Sequence, residues 1–252
     1  MLELLTVALG VGGATAIGAI IGLIFKKFTH RFSDIVLGFA AGVMLCAAII
    51  GLIVPSLNED NKYSIIVTIL GIFTGAIVLS LIDRFIPHKH NPIGEELENH
   101  PKTNSKTSKI LLFVLAIAIH NFPEGIAAGV GFGSGDSLGA ILIAVGIALQ
   151  NIPEGMVIIG PMLAVGISKK KTFFIASLTG LIEVIGTFIG YFAVSISVAI
   201  LPFALAFAGG TMLYVIGDEM IPETHAHGSQ RGATYALLVG FCLMLAVDVL
   251  FG

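Results

Sequence analysis

The sequence predicts an all-α integral membrane protein of eight transmembrane helices, and three observations carry that expectation. The 252 residues are 56% hydrophobic and 12% charged, with a mean hydropathy of +1.00. A water-exposed domain carries about 25% charged residues, so this chain holds half the charge that an aqueous surface needs. Apolar runs of about 20 residues, long enough to cross a hydrocarbon core of about 30 Å as helices, recur from end to end. The basic residues fall in alternate connections between those runs.

The runs are, in order, Leu5–Phe25, Ile35–Pro55, Ser64–Ile82, Ile110–Gly131, Leu138–Val165, Thr172–Val194, Val198–Gly217 and Ala233–Phe251. The fifth is long enough to overrun the bilayer or tilt within it. Glycines such as Gly10, Gly13, Gly18 and Gly22 in the first run and Gly71 and Gly75 in the third permit close helix packing without side-chain bulk. The first run has no basic residue before it and two lysines after it, so it is expected to remain as a helix rather than leave as a signal peptide. Connections 1–2, 3–4, 5–6 and 7–8 hold twelve of the thirteen basic residues, and the other side holds Lys62. An excess of Lys and Arg marks the cytoplasmic face. Both termini are therefore expected outside, periplasmic or extracellular, in a multi-pass protein of the plasma (inner) membrane. The chain reads as one transmembrane domain over 1–252, with a cytoplasmic loop at about 83–109 that carries His88, His90 and His100.

Composition also excludes several classes. A net charge of −3, with no long basic run outside the loops, argues against a nucleic-acid partner. The two cysteines, Cys46 and Cys242, lie in apolar runs and supply neither a disulfide framework nor a thiolate zinc site. There is no phosphate-binding glycine loop, so ATP hydrolysis by this chain is not expected.

Polar side chains at bilayer depth cost several kcal/mol, which makes each one a functional candidate. His120 and Glu124 fall near the middle of the fourth run, Gln150 and Glu154 near the middle of the fifth, and Glu183 midway along the sixth. No Lys or Arg falls near the middle of any run. Glu124, Glu154 and Glu183 must therefore be protonated or matched by a cation. His120 and Glu124 are four residues apart, as are Gln150 and Glu154, so each pair shares a helix face. Asn121 and Asn151 are turned by about 100° from their neighbours and flank the same cluster. Pro123 and Pro153 free the carbonyls of Ile119 and Leu149 and predict kinks.

The hexads His120-Asn121-Phe122-Pro123-Glu124-Gly125 and Gln150-Asn151-Ile152-Pro153-Glu154-Gly155 repeat at an offset of thirty residues. Imidazole, carboxylate and amide oxygen without thiolate favour divalent zinc, iron, manganese, cobalt or cadmium over monovalent copper. Several carboxylates also permit two ions about 3.5–4 Å apart. A second repeat relates Phe39-Ala40-Ala41-Gly42-Val43-Met44-Leu45 to Phe207-Ala208-Gly209-Gly210-Thr211-Met212-Leu213, with five of seven positions matching. Runs two and seven cross in opposite directions, so the copies are inverted, an arrangement that transporters use around a midplane site. Toward the ends lie Asp83, Asp218 and Glu219 inside, with Asp248, Glu59 and Asp60 outside. Acids at both mouths attract cations. The tracts His88-Lys89-His90 and His225-Ala226-His227 read as solvated loop residues or weak metal ligands.

The hexads and the eight spans resemble the ZIP family of divalent metal transporters, and most closely its bacterial GufA-like branch. The resemblance implies a 3+2+3 helix arrangement with an inverted repeat. It implies one metal site from His120, Glu124, Gln150 and Glu154, and an adjoining one from Asn121, Asn151 and Glu183 that shares the two motif glutamates. Asn151 stands where some relatives carry an acid, which makes the second site less negative. Asp218 and Glu219 would line the inner release route and Asp248 the outer entrance. Members move zinc, iron, manganese or cadmium into the cytoplasm as substrate, without a catalytic cofactor, often as homodimers and by an elevator-like sliding of one bundle. Two other readings compete with transport. An intramembrane metallo-hydrolase lacks a His-Glu-x-x-His segment and a clear general base, and a non-transporting metal-sensing bundle needs no flux.

Overall fold

The computed structural model describes residues 1–25, 29–57, 63–85, 106–135 and 137–251. Apart from short connections these residues are helical, in eight long stretches: α1 Leu2–Ile24, α2 His30–Ser56, α3 Ser64–Phe85, α4 Lys106–Gly133, α5 Ser137–Ala164, α6 Lys169–Ile196, α7 Leu201–His225 and α8 Gln230–Phe251. Among the described residues, all of these except α4 are identified as long and apolar enough to cross a membrane, by length and composition. The helices overrun the apolar runs because backbone hydrogen bonding continues where hydropathy has already fallen. Thus α6 starts at Lys169, inside the basic connection, and α4 starts at Lys106, since lysine is a good helix former. The His-containing loop is correspondingly shorter than 83–109, because α3 runs to Phe85 and α4 begins at Lys106. His88, His90 and His100 lie outside the described residues, as do Lys26, Lys27, Glu59, Asp60 and Lys62.

Local chemistry sets the ends. Thr29 caps α2 by accepting from the Phe32 N–H at 3.2 Å. Gly166, at φ +85°, closes α5. The Ile167 N–H bonds back to Met162 O and the Gly166 N–H to Leu163 O, the paired bonds of a glycine-terminated helix. Helices α4 and α5 continue through Pro123, Pro153 and Pro161. In α2 and α7 the backbone instead widens into π turns at Ala47–Ile53 and Ile216–Met220, each followed two residues later by a proline, Pro55 or Pro222. These are the two helices that carry the second sequence repeat, and both widen shortly after it.

Packing divides the helices into two sets of four. One set is α1, α4, α5 and α6, whose closest pairs are α4 on α6, α1 on α5 and α1 on α6. The other is α2, α3, α7 and α8, joined mainly through α2 on α8 and α3 on α7. The sets meet where α2 lies on α5 and α4 lies on α7. Exchanging α1 with α6, α2 with α7, α3 with α8 and α4 with α5 maps these pairs onto one another. Glycine makes the seams inside each set. A side chain at Gly125 would strike the Glu183 carbonyl, one at Gly155 the Thr15 carbonyl, and one at Gly42 the Leu237 carbonyl. Such backbone-to-backbone approach is how membrane helices pack without a hydrophobic driving force.

Asp34, buried near the start of α2, accepts from His227 Nδ1 at 3.0 Å, and His227 stacks on His30 at 4.4 Å. The first and last connections therefore share one face, as alternating spans require. His225 sets its Nδ1 on the Ile221 carbonyl at 2.7 Å, whereas His227 sets its own on Asp34. The outward surfaces of α3 and α8 are apolar, exposing Leu70, Phe73 and Ile77 on one and Tyr235, Val239 and Leu250 on the other. Exposed apolar area on that scale marks a lipid or protein contact.

Candidate metal site

The residues that do not belong in a membrane gather in the interior of the first helix set. Asn121, Glu124, Gln150, Asn151 and Glu183 are fully buried, and His120 and Glu154 are buried to within a few per cent. They arrive from α4, α5 and α6, which the glycine seams hold close. Gly125 lies one residue beyond Glu124 and packs on the Glu183 backbone, so the first motif and the third carboxylate are brought together by a residue of the motif itself.

Hydrogen bonds link these side chains in a chain across three helices. Gln150 Nε2 donates to Glu124 Oε2 at 2.5 Å and to Asn151 Oδ1 at 2.7 Å. Asn151 Nδ2 donates to Glu183 Oε2 at 2.6 Å and to the Val11 carbonyl at 3.2 Å. The chain ends on α1, where Thr15 Oγ1 donates to Glu183 Oε1 at 3.2 Å. Thr15, fully buried, is the residue that sequence reading missed. A threonine in a membrane helix can satisfy its hydroxyl on its own backbone and so raises no flag of depth.

Three further acids, Glu219, Asp218 and Asp248, differ in where they lie relative to the cluster. Glu219, expected at the inner end of α7, is buried and pairs with His120 Nε2. That contact joins α7 of the second set to α4 of the first. Its neighbour Asp218 is exposed and takes no place in the cluster, since consecutive helical residues point about 100° apart. Asp248 is half-buried on α8, within electrostatic reach of Cys46 on α2, and belongs to the second set rather than to the cluster.

The electrostatics are one-sided. Glu154 lies within electrostatic reach of His120 and Glu219, and Glu124 within reach of Glu154 and Glu183. Four carboxylates and one imidazole thus form a connected set, with Glu219 and Glu154 nearest His120, and the described Lys and Arg lie at helix ends. Burying such a set is costly unless protons or a cation neutralise it. Among the described residues no three His, Cys, Asp or Glu converge as a metal-binding group. The reason is visible in the bonds: His120 is taken by Glu219, and Glu183 by Thr15 and Asn151. Glu124 Oε1, Gln150 Oε1 and both polar atoms of Asn121 remain buried without a hydrogen-bond partner. Such atoms are exceptional in folded proteins, and three of the four are oxygens of the kind that bind divalent cations.

Comparison with known proteins agrees with this chemistry. The model of a family described as "ZIP Zinc transporter" matches residues 87–248. The chain is 37% identical to the zinc transporter GufA of Myxococcus xanthus over 254 residues, covering 98% of each. It is 35% identical to the zinc transporter ZIPB of Bordetella bronchiseptica, over 95% of this chain and 78% of that one. With the zinc transporter ZupT of Chlorobaculum parvum the identity is 37%, over 95% and 93%. These relatives are named as transporters and not as catalysts, and the match runs through both hexads and the cluster they build. The chain belongs to the ZIP family of metal transporters.

Proposed function

We propose that this protein is a secondary carrier that brings divalent metal cations into the cytoplasm, zinc foremost and with it iron, manganese and cadmium. The observation that carries the reading is a buried cluster of four carboxylates and one imidazole with unpartnered oxygens on Glu124, Gln150 and Asn121, built in the first helix set and joined to the second through Glu219. The names of the zinc-transporting relatives favour zinc among the metals this ligand set accepts. In this reading residues 1–252 form one transmembrane domain with eight spans, inverted halves and both termini outside. It sits in the plasma (inner) membrane as a homodimer. Cargo enters past Asp248, binds at mid-membrane and leaves past Glu219 and Asp218.

The chain's own residues then act as follows. The cation displaces Gln150 from Glu124 and Glu219 from His120, and takes up His120, Glu124, Gln150 and Glu154. Freed from His120, the α4–α7 contact no longer ties the sets, and the first set slides with its cargo past the second, elevator fashion. In this reading alternating access rests on exchanging two internal bonds, Gln150–Glu124 and Glu219–His120, for bonds to the cargo.

The test is uptake into proteoliposomes that enclose a metal-sensitive dye. Wild-type protein is expected to admit zinc and cadmium, with Glu124→Ala and Glu154→Ala at background. Tight binding by wild-type protein with no influx would overturn the carrier reading.

A further inference from the structure

We infer that the cargo site of this chain holds a single cation, because the Asn151 amide fills the place beside Glu183 that a second cation would need. The inference rests on the site proposed above and concerns how many ions that site takes.

Both oxygens of Glu183 already accept a hydrogen bond. Its Oε1 accepts from Thr15 Oγ1 at 3.2 Å and its Oε2 from Asn151 Nδ2 at 2.6 Å. Asn151 is equally committed: its Nδ2 also donates to the Val11 carbonyl at 3.2 Å, and its Oδ1 accepts from Gln150 at 2.7 Å. An amide has two N–H donors and one acceptor oxygen, so each polar atom of Asn151 has a partner. The amide nitrogen stands between two acceptors, the Glu183 carboxylate and a backbone carbonyl, and supplies the positive end that both require. It occupies the electrostatic role of a cation without being one.

The oxygens without partners lie elsewhere on the cluster, on Glu124, Gln150 and Asn121 of α4 and α5. The polar interior is therefore split. One part, Thr15–Asn151–Glu183, is closed by hydrogen bonds and ties α1, α5 and α6 together. The other part keeps open oxygens and includes His120 and Glu154. An aspartate at position 151 would reverse the arrangement. It would set a carboxylate against Glu183 and the Val11 carbonyl, three acceptors with no proton between them, and a buried site of that kind is satisfied by a cation.

The experiment counts cadmium bound per chain in purified full-length protein, by elemental analysis after equilibration with Cd2+ and removal of free metal. Metal held elsewhere on the protein is removed by taking the count as the difference between each protein and its Glu124→Ala partner. The difference is expected to be one ion for wild type and one for Glu183→Gln, and two for Asn151→Asp against Asn151→Asp/Glu124→Ala. A wild-type difference of two, falling to one in Glu183→Gln, would overturn the inference while leaving the cargo site standing. A wild-type difference of zero would remove Glu124 from the cargo site, and both readings with it. If Asn151→Asp folds and still shows one ion, the amide is not what excludes the second.

Discussion

In the α1–α4–α5–α6 set the helices close around Glu124, Gln150, Asn151 and Glu183, whereas in the α2–α3–α7–α8 set they close around Ala40, Met44, Met212 and Val215. Both interiors are built the same way, from glycines pressed on carbonyls: Gly125 on Glu183 and Gly129 on Thr187 in one, Gly42 on Leu237 and Gly75 on Phe207 in the other. The boundary between them is different. Gly51 faces the Ile143 side chain and Gly146 faces the Met244 and Ala47 side chains, with no backbone at comparable distance. Each set is locked within itself, and the two touch through side chains that can shift. That division gathers most of the buried charge in the first set, with Glu219 the second set's contribution through His120, and leaves the rest of the second interior apolar.

The comparison can be broken at several points, and the largest effects are expected in the polar interior. Glu124→Ala removes a charged ligand from a buried site, where such contacts are worth up to about 3 kcal/mol. Uptake should fall by on the order of 100-fold, as measured by initial dye quenching in proteoliposomes. Next come the seams. Gly125→Ala or Gly42→Ala drives a methyl into backbone that cannot yield, and overpacking of that kind costs about 1–3 kcal/mol. Both should lower the thermal midpoint in detergent by several degrees, whichever set they occupy. A smaller effect is expected at the boundary. Gly146→Ala meets the end of the Met244 side chain at 3.0 Å, a flexible thioether that adapts easily. Its thermal midpoint should stay near wild type; a loss equal to that of Gly125→Ala would mean the boundary is as rigid as the seams. Between these lies Glu219→Ala, which frees His120 for the cation. Cadmium should bind several-fold more tightly, for about 1 kcal/mol of lost competition, and be released more slowly. Weaker binding would assign Glu219 to the ligand set instead.

Much of this layout is legible in the sequence, for a physical reason. The cost of burying charge makes His120, Glu124, Gln150, Glu154 and Glu183 conspicuous within apolar runs, and the structure places all five in one interior. The helix order follows from run length alone. What escapes is whatever the bilayer does not penalise or periodicity does not encode. Thr15 carries no charge, and α1 gives no sign that its hydroxyl reaches Glu183. Glu219 is visible as an acid, but its depth and partner depend on a π turn that shifts the helical register beyond any 3.6-residue pattern. The split into two sets is hidden as well. In a membrane both faces of a helix are apolar, so hydrophobic periodicity does not say which neighbour a face meets. The glycines hold that information, and only their partners reveal it.

The most direct test of the two-set account ties the sets together and asks whether cargo still moves. A Cβ at Gly146 would lie 3.3 Å from Cβ of Ala47 across the boundary, close to the spacing of about 3.8 Å in a disulfide. The pair Ala47→Cys and Gly146→Cys would be made with Cys46→Ser and Cys242→Ser, and zinc uptake measured in the same proteoliposomes oxidised and then reduced. The account predicts that uptake stops when the bond forms and returns on reduction. Undiminished uptake by the fully cross-linked protein would contradict it.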